Sequence, residues 1–268
     1  MLDGMIGEFP KILEGCSLRE DGLYHCDTCG EAREYIIPNG FLEGRKVRCV
    51  CKCLVNERDR RERNAQMDEN NRRRRRCFGS GWENMSKWTF ENDDMRNKPL
   101  SVICKSYAED FDERYKEGAG LLLWGSVGSG KSYMSACIAN AVLDMGKQVL
   151  MGNFSTMINL MQGNYEDRQR FIDSLNTYSL IIIDDLGIER NTEYMQEQVF
   201  NIIDTRHRAG KPIIVTTNLT MGEMLDVRDI GRMRIYDRLL ERCIPVEVNG
   251  FSRRIQKFKE NVEQQSMF

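Results

Sequence analysis

Residues 125–132 read Gly-Ser-Val-Gly-Ser-Gly-Lys-Ser. This is the G-x-x-x-x-G-K-S spacing of a phosphate-binding loop. The apolar run Leu121-Leu122-Leu123-Trp124 precedes it, and a helical pattern from Ser132 to Leu143 follows, with Met134, Ile138 and Ala141 in phase and Gly146 as the stop. The loop therefore joins a buried strand to a helix N-terminus. Backbone N–H groups and the positive end of a helix dipole can hold a triphosphate there. Gly125, Gly128 and Gly130 let the backbone turn tightly enough to approach it. Lys131 supplies a point charge for the outer phosphates, and Ser132 a hydroxyl ligand for Mg²⁺. Ser126, Val127 and Ser129 complete the cradle, and Tyr133 follows at its edge.

The second half of such a site comes downstream. Ser179 to Gly187 is an apolar strand ending in Asp184-Asp185. Open α/β sheets bind ligands at the C-terminal tips of their strands. The pattern thus assigns Mg²⁺ binding to Asp184 and polarisation of the attacking water to Asp185. Lys211 to Asn218 is another buried strand, and Asn218 at its tip either bonds the γ-phosphate or the water, or caps the next helix. Further strands are expected at Gln148–Asn153 and Ile244–Val248. Helices are expected at Pro99–Tyr115, Ser155–Gln162, Asp167–Asn176 and Thr192–Arg208, the last capped by Thr192 and turning Tyr194, Val199, Ile202 and Ile203 inward. Gly231–Cys243 reads as a basic helix with Ile235, Leu239 and Leu240 on one face. Arg232, Arg234, Arg238 and Arg242 occupy the rest, and one of these can act as an arginine finger on a neighbour's γ-phosphate.

The bulk properties narrow the class. The chain has 268 residues, 41% hydrophobic and 30% charged, with a net charge of −2. That balance suits a sizeable core and excludes a globally basic DNA-coating protein, so nucleic-acid contact has to come from a local patch. No apolar run approaches the roughly 18 residues of a membrane span, and the N-terminus lacks the pattern of a signal peptide. A cytoplasmic protein is expected. Of ten cysteines, five fall between Cys26 and Cys53. In that setting Cys26-x-x-Cys29 and a second pair separated by a short hairpin indicate a four-thiolate structural zinc site. The second pair is read as Cys51 and Cys53, with Cys49 as the substitute; such a site can supply folding energy to a small segment.

Residues 54–76 form a charged helical stretch in which arginines outnumber acids nine to five. It is either a phosphate- or partner-contacting surface or a solvated linker helix. Trp82, Trp88 and Phe90 read as a strap packed onto the next domain. Within residues 1–25 only a short helix near Phe9–Glu14 is expected. The expected domains are 1–76, with zinc and the basic helix, and 77–268, with the nucleotide site.

Taken in order, GLLLWGSVGSGKSYMSACIANAV, LIIIDDLGIER, KPIIVTTNLT, RIYDRLLERC and GFSRR resemble the DnaC/IstB group of AAA+ ATPases. The similarity, over roughly residues 80–258, is strongest to the phage and Gram-positive versions of the replicative helicase loader. The upstream cysteines resemble those loaders' zinc-bearing N-terminal domain. The resemblance implies a five-stranded parallel AAA+ P-loop core between helices, using ATP, Mg²⁺ and Zn²⁺. It further implies binding to a hexameric replicative helicase through the N-terminal domain, loading of that ring onto single-stranded DNA, and ATP-dependent self-association into an oligomer or open spiral. By the same analogy Asn218 is the first sensor, Arg238 the arginine finger with Arg234 beside it, and Arg254 the second sensor. Asp185 stands where many AAA+ ATPases carry Glu, which implies slow hydrolysis, and the short chain after the fifth strand implies a minimal helical lid. The rival readings are a transposition helper of the IstB type and a non-hydrolysing zinc and nucleic-acid adaptor.

Overall fold

The computed structural model describes residues 14–160, 165–187, 193–250, 252, 255, 258 and 262. The expected helix near Phe9, the cap at Thr192, and Arg254 with its lid segment lie outside the described residues. The chain forms two compact units, residues 1–69 and 70–268, dividing earlier than the expected boundary after residue 76.

The first unit contains two antiparallel hairpins, β1 (Cys16–Leu18) with β2 (Tyr24–Cys26) and β3 (Glu34–Ile36) with β4 (Lys46–Arg48). Arg33 ties them together: its N–H donates to Tyr24 O on β2 at 2.7 Å, and its own carbonyl accepts from Cys49 N–H, just past β4, at 2.9 Å. Between β2 and β3 the chain turns through Cys26–Gly30, closed by Gly30 N–H to Cys26 O at 2.8 Å, with Gly30 at φ +72°.

Helix α1 (Lys52–Phe78) begins in this unit and ends in the next. It has no apolar face over most of its length, and i,i+4 pairs such as Arg58–Glu62 and Glu57–Arg61 run along it; water screens such exposed pairs, so they add little. Its last turn is different. Cys77 and Phe78 are buried in the core of the second unit. Arg74 donates to Asn140 Oδ1 at 3.0 Å and pairs with Asp144 at 2.6 Å. Part of the arginine run therefore serves internal packing.

The second unit continues with α2 (Trp82–Met85), α3 (Lys98–Glu109), α4 (Phe111–Glu117), β5 (Gly120–Trp124), α5 (Lys131–Asp144), β6 (Val149–Asn153), α6 (Phe154–Leu160) and α7 (Tyr165–Ser174). Then come β7 (Leu180–Leu186), α8 (Glu193–Arg208), β8 (Ile213–Thr217), α9 (Met221–Leu225), α10 (Ile230–Arg242) and β9 (Cys243–Glu247). The strands make one five-stranded, wholly parallel sheet in the order β6-β7-β8-β5-β9. Its inner strands are continuous apolar runs because both faces are covered. Leu121, Leu123, Ile182 and Ile214 face the layer of α3 and α5, while Leu122, Ile181, Ile183 and Val215 face that of α8 and α10.

Two helical expectations change. Pro99–Tyr115 is not one helix: α3 stops and α4 starts at Asp110, which serves as cap to both. Tyr194 is not inward but 47% exposed, because α8 turns Val199, Ile202 and Ile203 to the sheet and leaves its first turn at the surface. The strap packs as expected at two of its three aromatics, the side chain of Trp82 lying outside what is described. Trp88 and Phe90 lie against the core, and buried Asn140 donates to the carbonyls of Met85 at 2.8 Å and Trp88 at 2.9 Å.

Candidate active site

The phosphate loop leaves the tip of β5, which lies between β8 and β9, and enters α5. Three positions in it have a backbone that suits only glycine: Gly125 at φ +136°, Gly128 at +77° and Gly130 at +106°. Space is as restrictive as conformation. A Cβ on Gly125 would sit 2.6 Å from the Val248 carbonyl, and one on Gly128 2.3 Å from Ser252 Oγ. The segment after β9 therefore lies directly against the loop, and Ser126 Oγ donates to Gly250 O at 3.1 Å to hold it there. Gly130 caps α5 without a side chain, so the helix presents its first N–H groups to an anion rather than to its own cap. Ser129 Oγ closes the loop on Ser126 O at 2.7 Å, and Val127 is exposed at the rim.

Lys131 is only 5% exposed. Its ammonium donates to Gly125 O at 2.9 Å, Ser126 O at 2.8 Å and Asn218 Oδ1 at 2.8 Å. Those three bonds use all three of its protons. Burial lowers its pKa, while the charges of Asp185 and Asp184 act in the opposite direction. Asn218 is thus joined to the loop lysine. It does not cap the following helix; Thr220 does, in a reciprocal capping box with Glu223.

The acid pair lies at the tip of β7. The register of β7 on β8 slips between Ile183 and Leu186, and Asp185 takes φ +59°. One extra residue is thus inserted where the strand must deliver two neighbouring carboxylates, a bulge of the kind that re-aims side chains at sites. Thr216 Oγ1 donates to Asp184 Oδ1 at 2.6 Å and accepts from Asp185 N–H at 2.8 Å. Desolvation raises the pKa of Asp184, and hydrogen bonds from Thr216 and Ser132 pull it back. Ser132, Asp184 and Lys131 are thereby brought into one constellation, with a hydroxyl and a carboxylate suited to Mg²⁺. Tyr133 leans the other way: its hydroxyl donates to Thr89 O at 3.2 Å and its ring lies 5.7 Å from Trp88.

The candidate finger lies on α10. Arg238 Nε donates to Asp204 Oδ1 at 3.3 Å, and the same carboxylate pairs with Arg208 at 2.7 Å. Arg238 is also 3.7 Å from Glu241 and remains 37% exposed. Arg234 stacks its guanidinium 4.1 Å over the Phe200 ring.

In the first unit, the sulfurs of Cys26, Cys29, Cys51 and Cys53 all lie within 4.8 Å of one another. Four thiolates at about 2.3 Å from a tetrahedral Zn²⁺ would be about 3.8 Å apart, so the cluster fits that ion. Backbone N–H groups of Cys29 and Thr28 stabilise the Cys26 thiolate and bring its pKa down to about 6, as a metal-binding thiolate requires. Cys49 turns away and donates to Ala32 O at 3.1 Å.

Sequence reading missed Thr216 as a contact of the acid pair. The available signal was a hydroxyl residue closing an otherwise apolar strand. It also missed the approach of Ser252 to the loop, which no local pattern carries.

Known proteins agree with this architecture. Residues 103–261 match the family model described as IstB-like ATP binding protein. The replicative helicase loader DnaC of Escherichia coli K12 is 28% identical over 143 residues, covering 51% of this chain and 57% of that protein. The replicative helicase loader DnaI of Bacillus subtilis is 22% identical over 182 residues, covering 62% of this chain and 58% of that one. The alignments thus span little more than half of these relatives. A crystal structure of DnaI superposes with a TM-score of 0.52 at 22% identity, over 63% of this chain and 92% of that one, which shows a shared fold. Among the described residues no helix is long and apolar enough to cross a membrane.

Proposed function

The chain belongs to the family of IstB-like ATP-binding proteins, and from that premise we propose that it is a cytoplasmic ATPase that loads a hexameric replicative helicase onto single-stranded DNA. The observation that carries this reading is the joining of Lys131, Asn218, Ser132 and Asp184 at one edge of the sheet, in a chain similar to two helicase loaders. The four-cysteine cluster ahead of the ATPase unit supports the loader over a transposition helper, and the intact Lys131, Asp184 and Asp185 oppose a non-hydrolysing adaptor.

In this reading the loop amides and Lys131 bind the phosphates, Lys131 exchanging its carbonyl partners for phosphate oxygens. Ser132 and Asp184 would hold Mg²⁺, whose charge would offset that of the phosphates. Asp185 accepts the proton of the attacking water, and Asn218 orients that water or the γ-phosphate. Arg238 leaves Asp204 to reach the γ-phosphate of a neighbouring subunit, so that ATP draws subunits into an open spiral and hydrolysis releases them. Arg254 contacts the nucleotide from its own chain. Cys26, Cys29, Cys51 and Cys53 hold structural zinc in the helicase-binding unit.

The test mixes the chain with its host's replicative helicase, with and without ATP, and measures the mass of the complex and ATP turnover. A complex that forms and then dissociates as ATP is hydrolysed, with turnover abolished in Lys131→Ala, is expected. No association with helicase, or equal turnover in Lys131→Ala, would refute the reading.

A further inference from the structure

Thr216 holds an unusual place for a threonine in a buried strand. It is fully buried on β8, between Val215 and Thr217, where valine would supply the same shape. Its hydroxyl is nevertheless fully used by the neighbouring strand. A backbone N–H can only donate, so Asp185 N–H at 2.8 Å takes a lone pair of Oγ1. The hydroxyl's single proton is left for Asp184 Oδ1, which lies 2.6 Å away. One side chain therefore grips both acids, one by its carboxylate and one by its backbone. It does so where the strand register slips and Asp185 takes a positive φ.

The next residue secures the other side of the bulge. Thr217 Oγ1 donates to Leu186 O at 2.7 Å and accepts from Leu219 N–H at 3.1 Å. Asn218 then reaches Lys131. The tip of β8 thus connects, residue by residue, the acid strand to the phosphate loop.

We propose that Thr216 is a positioning residue for the metal–nucleotide site: its hydroxyl aims the Asp184 carboxylate at the magnesium position beside Ser132 and fixes the bulge that carries Asp185. The proposal rests on the nucleotide chemistry given under Proposed function. Threonine is required for its oxygen, not for its shape, since valine supplies the shape and lacks both bonds. Groups that orient metal ligands typically change metal affinity or activity by about 10- to 100-fold when removed.

The experiment uses the full chain with Thr216→Val, Thr216→Ala and Thr216→Ser. Binding of a fluorescent ATP analogue is measured in EDTA and again across a Mg²⁺ titration, and ATP turnover is measured beside it. In EDTA all variants should bind as wild type, because the phosphate loop is intact. The Mg²⁺ concentration for half-maximal binding should rise roughly 10-fold or more in Thr216→Val and Thr216→Ala, with kcat falling more than KM rises, and Thr216→Ser should restore both. Either deletion behaving as wild type in the Mg²⁺ titration overturns the proposal. So does an equal loss of binding with and without Mg²⁺, which would mark a packing role, or a Thr216→Ser as defective as Thr216→Val. A wild-type chain that takes up no nucleotide overturns the proposed function, and this proposal falls with it; a normal wild type beside a normal Thr216→Val overturns this proposal alone.

Discussion

Arg206 is the side chain whose removal tests the architecture most severely. It sits on α8, fully buried, and its guanidinium donates to Leu175 O at 3.0 Å, Tyr178 O at 2.8 Å, Ser179 O at 3.1 Å and Pro212 O at 2.8 Å. Those carbonyls belong to the turn that launches the acid strand β7 and to the residue before β8. Burial brings its pKa down to about 10, so it stays charged at neutral pH. In Arg206→Met the chain keeps the packing volume and loses four charge-assisted bonds, each worth about 1.5–3 kcal/mol. Relief from burying the guanidinium offsets several kcal/mol of that, and the buried carbonyls left without a donor, at about 1–3 kcal/mol each, leave a net cost of about 3–5 kcal/mol. For a unit of this size each kcal/mol shifts Tm by about 2–4 °C, so Tm should fall by about 10 °C. All three tryptophans, Trp82, Trp88 and Trp124, lie in the 70–268 unit, so their fluorescence on heating reports that unit alone. Arg206→Lys, with one compact head unable to span four carbonyls, should fall in between. A drop of less than about 3 °C in Arg206→Met would refute the reasoning, since the four carbonyls would then not depend on the guanidinium.

Three further outcomes follow from the site. Purified chain should carry one zinc per molecule by elemental analysis. Cys26→Ser should lose it while Cys49→Ser keeps it, and a metal-free Cys49→Ser would refute the ligand set. Gly128→Ala should weaken nucleotide binding by about tenfold from left-handed strain alone, at 1–2 kcal/mol, and by more from the Cβ placed 2.3 Å from Ser252 Oγ. Adding Ser252→Gly should recover only the steric part by calorimetry, and full recovery would refute the strain argument. Arg238→Ala should reduce ATP turnover with helicase and DNA by about a thousandfold or more while leaving nucleotide binding by the isolated chain unchanged; normal turnover would remove Arg238 from the chemistry.

The candidate phosphate-binding residues were legible because their requirement is local. A glycine-rich turn between an apolar strand and a helix leaves few other structures, and Gly125 to Ser132 stands in consecutive positions. Asp184 and Asp185 were legible for the same reason, as carboxylates ending a run of isoleucines. The pairing of Cys26 and Cys29 with Cys51 and Cys53 could be read from spacing, although spacing alone left Cys49 open. The fold separates it, because the Cys49 thiol is held by the Ala32 carbonyl across its hairpin. Arg238 could be named only through resemblance, as nothing in a row of four helical arginines distinguishes one from another.

What the chain determined by itself was the type of the elements around the candidate nucleotide site and the chemistry at their tips, because hydrophobic period, glycine conformation and side-chain charge act over a few residues; the strands β1 and β2 near the N-terminus, where only a short helix was expected, were not legible. Tertiary structure alone decided which tips meet. Thr216 touches Asp184 across 32 residues and Lys131 reaches Asn218 across 87, and the strand order that brings them together is set by burying both faces of one sheet. No local pattern encodes that order, since apolar strands of similar composition can be exchanged without altering any period in the sequence.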